Sequence, residues 1–238
     1  MSLYAIAAFS LLLGASFSSA KPPSPPPFAC PVLSPSTSPP VDVRHIRPTD
    51  VKVFLAMGDS ITAAFAAKEH VKLDGIREFR GLSWSIGGDV DAYTVPNFFA
   101  RVSGHRSAPL GASLGVQIPL EAVKIKGHPI RDWDPRVDQL NGAVSLAKIE
   151  DLDAQMDYLV AEVKKIKGID FENDWKVLTI LIGANNLCAS CQPGRKDVTP
   201  EFFDAKYVPL VLHCIFVTFC AGTAPFSSAS ATKSPAFL

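Results

Sequence analysis

The chain has 238 residues, 47% of them hydrophobic, with 23 Lys and Arg against 23 Asp and Glu. That length supports one domain with a real core. The zero formal net charge leaves no basic footprint for nucleic acid, so a nucleic-acid-binding role is excluded on composition.

Residues 1–20 read as a secretory signal peptide. An apolar run over residues 5–15 is followed by Ser18-Ser19-Ala20, small residues suited to cleavage before Lys21, although no Lys or Arg precedes the run. As a membrane anchor the run is too short to span a bilayer. Residues 21–50 form a Pro- and Ser-rich lead-in (PPSPPPF, LSPSTSPP) that is extended and does not pack by itself. The five cysteines, Cys30, Cys188, Cys191, Cys214 and Cys220, all follow the expected cleavage point, where disulfides are permitted. An odd count leaves one unpaired or paired with another chain. Cys188 and Cys191 have C-x-x-C spacing without a second pair or a nearby His, which favours disulfide pairing over a zinc site. No metal and no cofactor is expected.

The folded part begins near Val51. Residues 51–57 and 176–182 are continuous apolar runs rich in β-branched residues, which predicts two buried parallel strands covered on both faces. Between them, Ile149, Leu152, Met156, Leu159, Val163 and Ile166 recur at spacings of three and four. This predicts an amphipathic helix stopped by Gly168. Strand, helix, strand in this order argues for an α/β layered fold. Residues 101–136 show no sustained period and read as loops with short elements.

Gly58-Asp59-Ser60 and Gly183-Ala-Asn185-Asn186 directly follow the two strands. In open α/β sheets ligands sit at the carboxyl ends of the strands, so both segments are expected to face one crevice. Gly, Asp and Ser also favour plain strand-to-helix turns. On these residues alone a catalytic serine and an ordinary turn are both open readings.

Four stretches add a resemblance: CPVLSPS (30–36) with RPTDVKV (47–53), the GDS block itself, RGLSWSIGGD (80–89), and DWKVLTILIGANNLC (174–188). Together they resemble the GDSL, or SGNH, hydrolases, and within them the phospholipase B branch. The resemblance covers roughly residues 30–207 and is thin over 101–136. It implies a three-layer α/β fold with a central parallel sheet. It also implies a serine ester hydrolase that cleaves acyl esters of phospholipids or lysophospholipids through an acyl-Ser60 intermediate, in the secretory pathway or at the cell surface, with peripheral membrane contact. By this resemblance Ser60 is the nucleophile and its N–H one oxyanion donor. The Asn185 amide is another donor, and Asp59 orders the turn through hydrogen bonds to backbone.

Three departures from the family pattern stand in the chain. Leu146, in NGAVSLAKIEDL (141–152), occupies the position of a family glycine whose N–H is an oxyanion donor. Leucine adopts φ > 0 only at a cost, and its side chain is expected to crowd the acyl group. Asn186 stands where the family usually has aspartate. The family's Asp-x-x-His base motif does not follow Asn185. Only Asp42 and His45 have that spacing, and they precede the nucleophile, so the general base is unassigned. After Tyr207 the chain changes to an apolar stretch and a Ser/Ala/Thr/Pro tail (208–238). The expectation is therefore a partial hydrolase domain over 51–207 with its C-terminal part incomplete. The alternative function is a catalytically inactive relative or truncated fragment that binds lipid or protein, or has no role.

Overall fold

The computed structural model of the protein describes residues 31–68, 77–104, 117–119, 133–191, 193 and 199–219. The expected signal segment, Cys30 and Cys220 lie outside the described residues.

Strand β1 (Val51–Gly58) pairs in parallel with β4 (Trp175–Leu181), with Phe54 opposite Val177 and Met57 opposite Ile180. Its other edge is also occupied. Ala56 forms a parallel bridge with Asn141, the Ala56 N–H donating to Leu140 O at 3.0 Å and Gly142 N–H donating to Ala56 O at 2.8 Å. The first predicted strand is therefore the middle of the sheet. A separate small antiparallel ribbon joins β2 (Arg77–Phe79) to β3 (Gln117–Pro119).

Side chains alternate across a strand, and β1 uses both faces. Val53, Leu55 and Met57 pack on helix α3 (Leu152–Val163) through Leu152, Met156, Leu159 and Val163, joined by Leu210 of α5 (Pro200–Phe219). Phe54 and Ala56 face the other way, towards Ile86 and towards Val95 and Phe99 of α1 (Val95–Val102). The Phe54 and Phe99 rings meet edge to face at 5.0 Å, a favoured aromatic geometry. Helix, sheet and helix thus form three layers, the expected α/β architecture.

The predicted helix is present, with Ile149 in a 3-10 turn ahead of it and Gly168 beyond its end at φ 82°. Helix α1 falls where the sequence shows no long period. Thr94 caps it by accepting from the Asn97 N–H, and Pro96 sits in its first turn, where a missing N–H costs nothing. Strand β4 departs from expectation. It is only half covered along most of its length, because among the described residues it pairs on one side only, with β1. Its one fully buried residue is Lys176. The Lys176 ammonium donates to the carbonyl oxygens of Asp170, Phe171 and Asp174 at 3.3, 2.7 and 2.6 Å. Burial pushes its pKa down.

The lead-in is tied down by backbone. Leu33 N–H donates to Val102 O at 2.7 Å, at the end of α1. Helix α5 runs unbroken across Tyr207, where the change in composition falls, and carries Pro209 in its interior. A short helix, α2 (Pro135–Asp138), precedes the Asn141 loop, and α4 (Ala184–Ser190) follows β4.

Candidate active site

Gly58 ends β1 under tight constraint. A Cβ there would collide with Leu181 O and the Thr62 hydroxyl, so only glycine lets the two strand ends close up. Its peptide groups are clamped from α3: the Gly58 N–H donates to Gln155 Oε1 at 2.8 Å and Gln155 Nε2 donates to Gly58 O at 2.9 Å. Val144 N–H also donates to Gly58 O, at 3.1 Å. Gln155 is fully buried, and sequence reasoning missed it. The signal was a polar residue inside the apolar stripe, three after Leu152 and four before Leu159.

Asp59 is buried and its Oδ1 accepts from the Ile61 N–H at 2.9 Å, the side-chain-to-backbone turn expected of it. Burial pushes its carboxyl pKa up. Ser60 follows, half-buried, its carbonyl accepting from Phe65 N–H at 2.9 Å. The segment after Ser60 is a series of turns rather than a helix, with Ala64 at φ 54° and Ala66 at φ 57°. Left-handed backbone costs a non-glycine residue about 1–2 kcal/mol, and such strain clusters at functional sites.

Leu146 adopts the left-handed region, φ 69°, in the conformation that glycine would take there without cost. Its side chain is 45% exposed, so leucine fills the glycine position by turning outward to solvent. The loop around it is tethered on both sides. Before it, Val144 is bonded to Gly58. After it, the Ala147 carbonyl accepts from Asn185 Nδ2 at 2.8 Å.

Asn185 lies in the first turn of α4, which starts from Gly183 at φ 121°. A Cβ on Gly183 would lie 2.9 Å from the Phe203 ring. Asn186 is buried and bridges to the segment before α3: its Oδ1 accepts from Ile149 N–H at 3.0 Å and its Nδ2 donates to Glu150 Oε2 at 3.1 Å. An aspartate would keep the first bond and set a carboxylate against Glu150 in the second. The asparagine at this position therefore matches its local partner.

The hydrogen bonds thus join three segments distant in sequence, carrying Ser60, Leu146 and Asn185, at the carboxyl ends of β1 and β4. Exposed apolar side chains stand beside each: Ile61, Leu146 itself and Leu187. His45 is the one histidine whose side chain lies among the described residues. It is exposed, and its Nδ1 is 2.8 Å from Asp42 Oδ1. Arg44 and then His45 hold the Asp42 carboxyl well below the usual carboxylate range. No hydrogen bond among the described residues connects this pair with Ser60. Cys188 and Cys191 are exposed free thiols at the end of α4, so the C-x-x-C pair is not bridged. Among the described residues no cluster of three or more His, Cys, Asp or Glu could hold a metal ion.

Residues 54–212 match the family of GDSL-like lipases and acylhydrolases. Three curated relatives, each named phospholipase B1, membrane-associated, align with most of the chain. The rat protein is 39% identical over 166 residues, 69% of this chain and 10% of its own length. The mouse protein is 36% identical over 180 residues, 74% of this chain and 11% of its own. The human protein is 32% identical over 182 residues, again 74% and 11%. The chain thus spans about a tenth of the length of the relatives it matches. No solved structure matches.

Proposed function

From the premise that this chain belongs to the GDSL-like lipase and acylhydrolase family, we propose that it hydrolyses acyl esters of phospholipids or lysophospholipids through an acyl-Ser60 intermediate. The observation that carries the reading is the tethering of Gly58-Asp59-Ser60, the Leu146 loop and Asn185 at one end of the sheet. Ser60 Oγ attacks the ester carbonyl and gives its proton to a general base, unassigned among the described residues, which returns it to the departing alkoxide. The oxyanion is received by the N–H groups of Ser60 and Leu146 and by the Asn185 amide. An amide nitrogen carries two protons; Ala147 takes one and the other serves the oxyanion. The alcohol leaves and water releases the fatty acid. Ile61, Leu146 and Leu187 offer apolar surface suited to an acyl chain. The relatives' names, which include phospholipase and membrane-associated, support a lipid substrate and an association with membranes. The same reading places the chain in the secretory pathway or at the cell surface. No described helix is long and apolar enough to cross a membrane.

The second reading, a relative that binds lipid without turnover, is favoured by the unassigned general base: among the described residues no hydrogen bond links the Asp42–His45 pair to Ser60. Hydrolysis of a short-chain ester and of a lysophospholipid, measured for the full chain beside Ser60→Ala, separates the two. Turnover that disappears in Ser60→Ala is expected. Equal background rates in both proteins overturn the enzymatic reading in favour of the second.

A further inference from the structure

Beneath the Leu146 loop lies a buried ion cluster that the proposed chemistry does not use. Arg80 is fully buried. Its guanidinium pairs with Glu78 Oε2 at 2.9 Å and with Asp138 Oδ1 at 3.1 Å. Two of its other donors go to backbone: Nη1 to Asn141 O at 3.0 Å and Nη2 to Ala143 O at 2.6 Å. The second Glu78 oxygen, Oε1, accepts from the Ser145 hydroxyl at 2.6 Å, within the range of a strong charge-assisted bond. A chain of contacts therefore runs from Arg80 through Glu78 to Ser145, the residue directly before Leu146. The same guanidinium fixes the two carbonyls at the start of the loop.

Leucine at φ 69° relaxes to negative φ if its neighbours let the peptide turn. That turn would redirect the N–H between Ser145 and Leu146. Buried ion clusters are poor sources of net stability compared with apolar packing, whereas a planar guanidinium with fixed donors holds backbone oxygens in place. We propose that Glu78, Arg80 and Ser145 are positioning residues that hold Leu146 in its left-handed conformation and so aim its N–H at the oxyanion. The aim at an oxyanion rests on the ester-hydrolase reading above. The hold on Leu146 does not.

The test is the rate at which an alkyl fluorophosphonate labels Ser60, measured for the full-length wild type, Ser145→Ala, Leu146→Gly and the double variant. A glycine reaches positive φ without strain and so depends less on the clamp. Ser145→Ala is expected to slow labelling by about tenfold or more beside Leu146, less than the loss of an oxyanion donor outright. In the Leu146→Gly background it should slow labelling less than about twofold, because positive φ is then free of strain. Ser145→Thr, which keeps the hydroxyl, restores the wild-type rate. Equal losses in both backgrounds, or no loss in Ser145→Ala, overturn the proposal. If Ser145→Ala does not fold, Ser145→Cys, similar in size and a weaker donor, carries the same comparison. If wild-type Ser60 is not labelled, the ester-hydrolase reading fails by itself. The clamp is then read by the one-bond Cα–Hα coupling of Leu146, which differs between positive and negative φ. A shift in Ser145→Ala but not in Ser145→Thr is expected; an unchanged coupling in Ser145→Ala overturns the clamp.

Discussion

Asn185 Nδ2 donates to the carbonyl oxygen of Ala147 at 2.8 Å, so the first turn of α4 and the loop bearing Leu146 are held as one unit. In the proposed reaction this bond orients the amide before substrate arrives, and the barrier then includes no cost for turning it. Asn185→Ala is expected to lower kcat about 10²- to 10³-fold, the range for deleting one preorganised oxyanion donor, with KM on a short-chain ester little changed. Steady-state kinetics check this. A rise in KM with kcat intact would assign Asn185 to substrate binding instead.

Arg80 neutralises carboxylates that water does not reach, since Glu78 and Asp138 are buried with it. Arg80→Met keeps the volume but leaves those groups without their cation. Breaking a buried ion pair in this way costs about 3–5 kcal/mol. Denaturant unfolding of wild type and variant should show a lower midpoint by that measure. A loss within about 1 kcal/mol, typical of exposed pairs, would mean that water reaches the cluster.

Gln155 satisfies both peptide groups of Gly58, the residue from which the Ser60 turn hangs. Gln155→Leu is close in size and removes both bonds, stranding the buried Gly58 N–H. The expected loss is about 1–3 kcal/mol of stability, read from thermal or denaturant melts. Ser60 labelling should fall as well, since the strand end is no longer fixed.

Asp59 carries a pH signature. Burial raises its carboxyl pKa in the folded state, so ionisation favours the unfolded chain. Wild type therefore loses stability as pH rises from the ordinary carboxylate value, about 4, through the raised folded value. Asp59→Asn keeps an oxygen to accept from Ile61 N–H and has no charge to bury. Its stability relative to wild type should grow as pH rises from about 4 to neutral, as linkage requires. Melting temperatures across that range provide the check. A constant difference would show that Asp59 titrates alike in both states.

Much of this protein is legible one segment at a time. The apolar runs at β1 and β4, the stripe of α3, and the Gly58-Asp59-Ser60 and Gly183-Ala-Asn185 turns at the strand ends follow from local periodicity and turn chemistry. These effects act over a few residues, so sequence by itself determined a layered α/β fold with Ser60 and Asn185 at one end of the sheet. What only the tertiary structure decided depends on residues far apart in the chain. Gln155 meets Gly58 across 97 positions, Arg80 meets Ala143 across 63, and Asn185 meets Ala147 across 38. The left-handed leucine is of the same kind. Its intrinsic preference runs against φ 69°, and bonds to Gly58, Glu78 and Asn185 on the flanking residues surround it. Such bonds exist only once the layers have packed, because burial removes water as the competing partner and makes each unmet polar group costly.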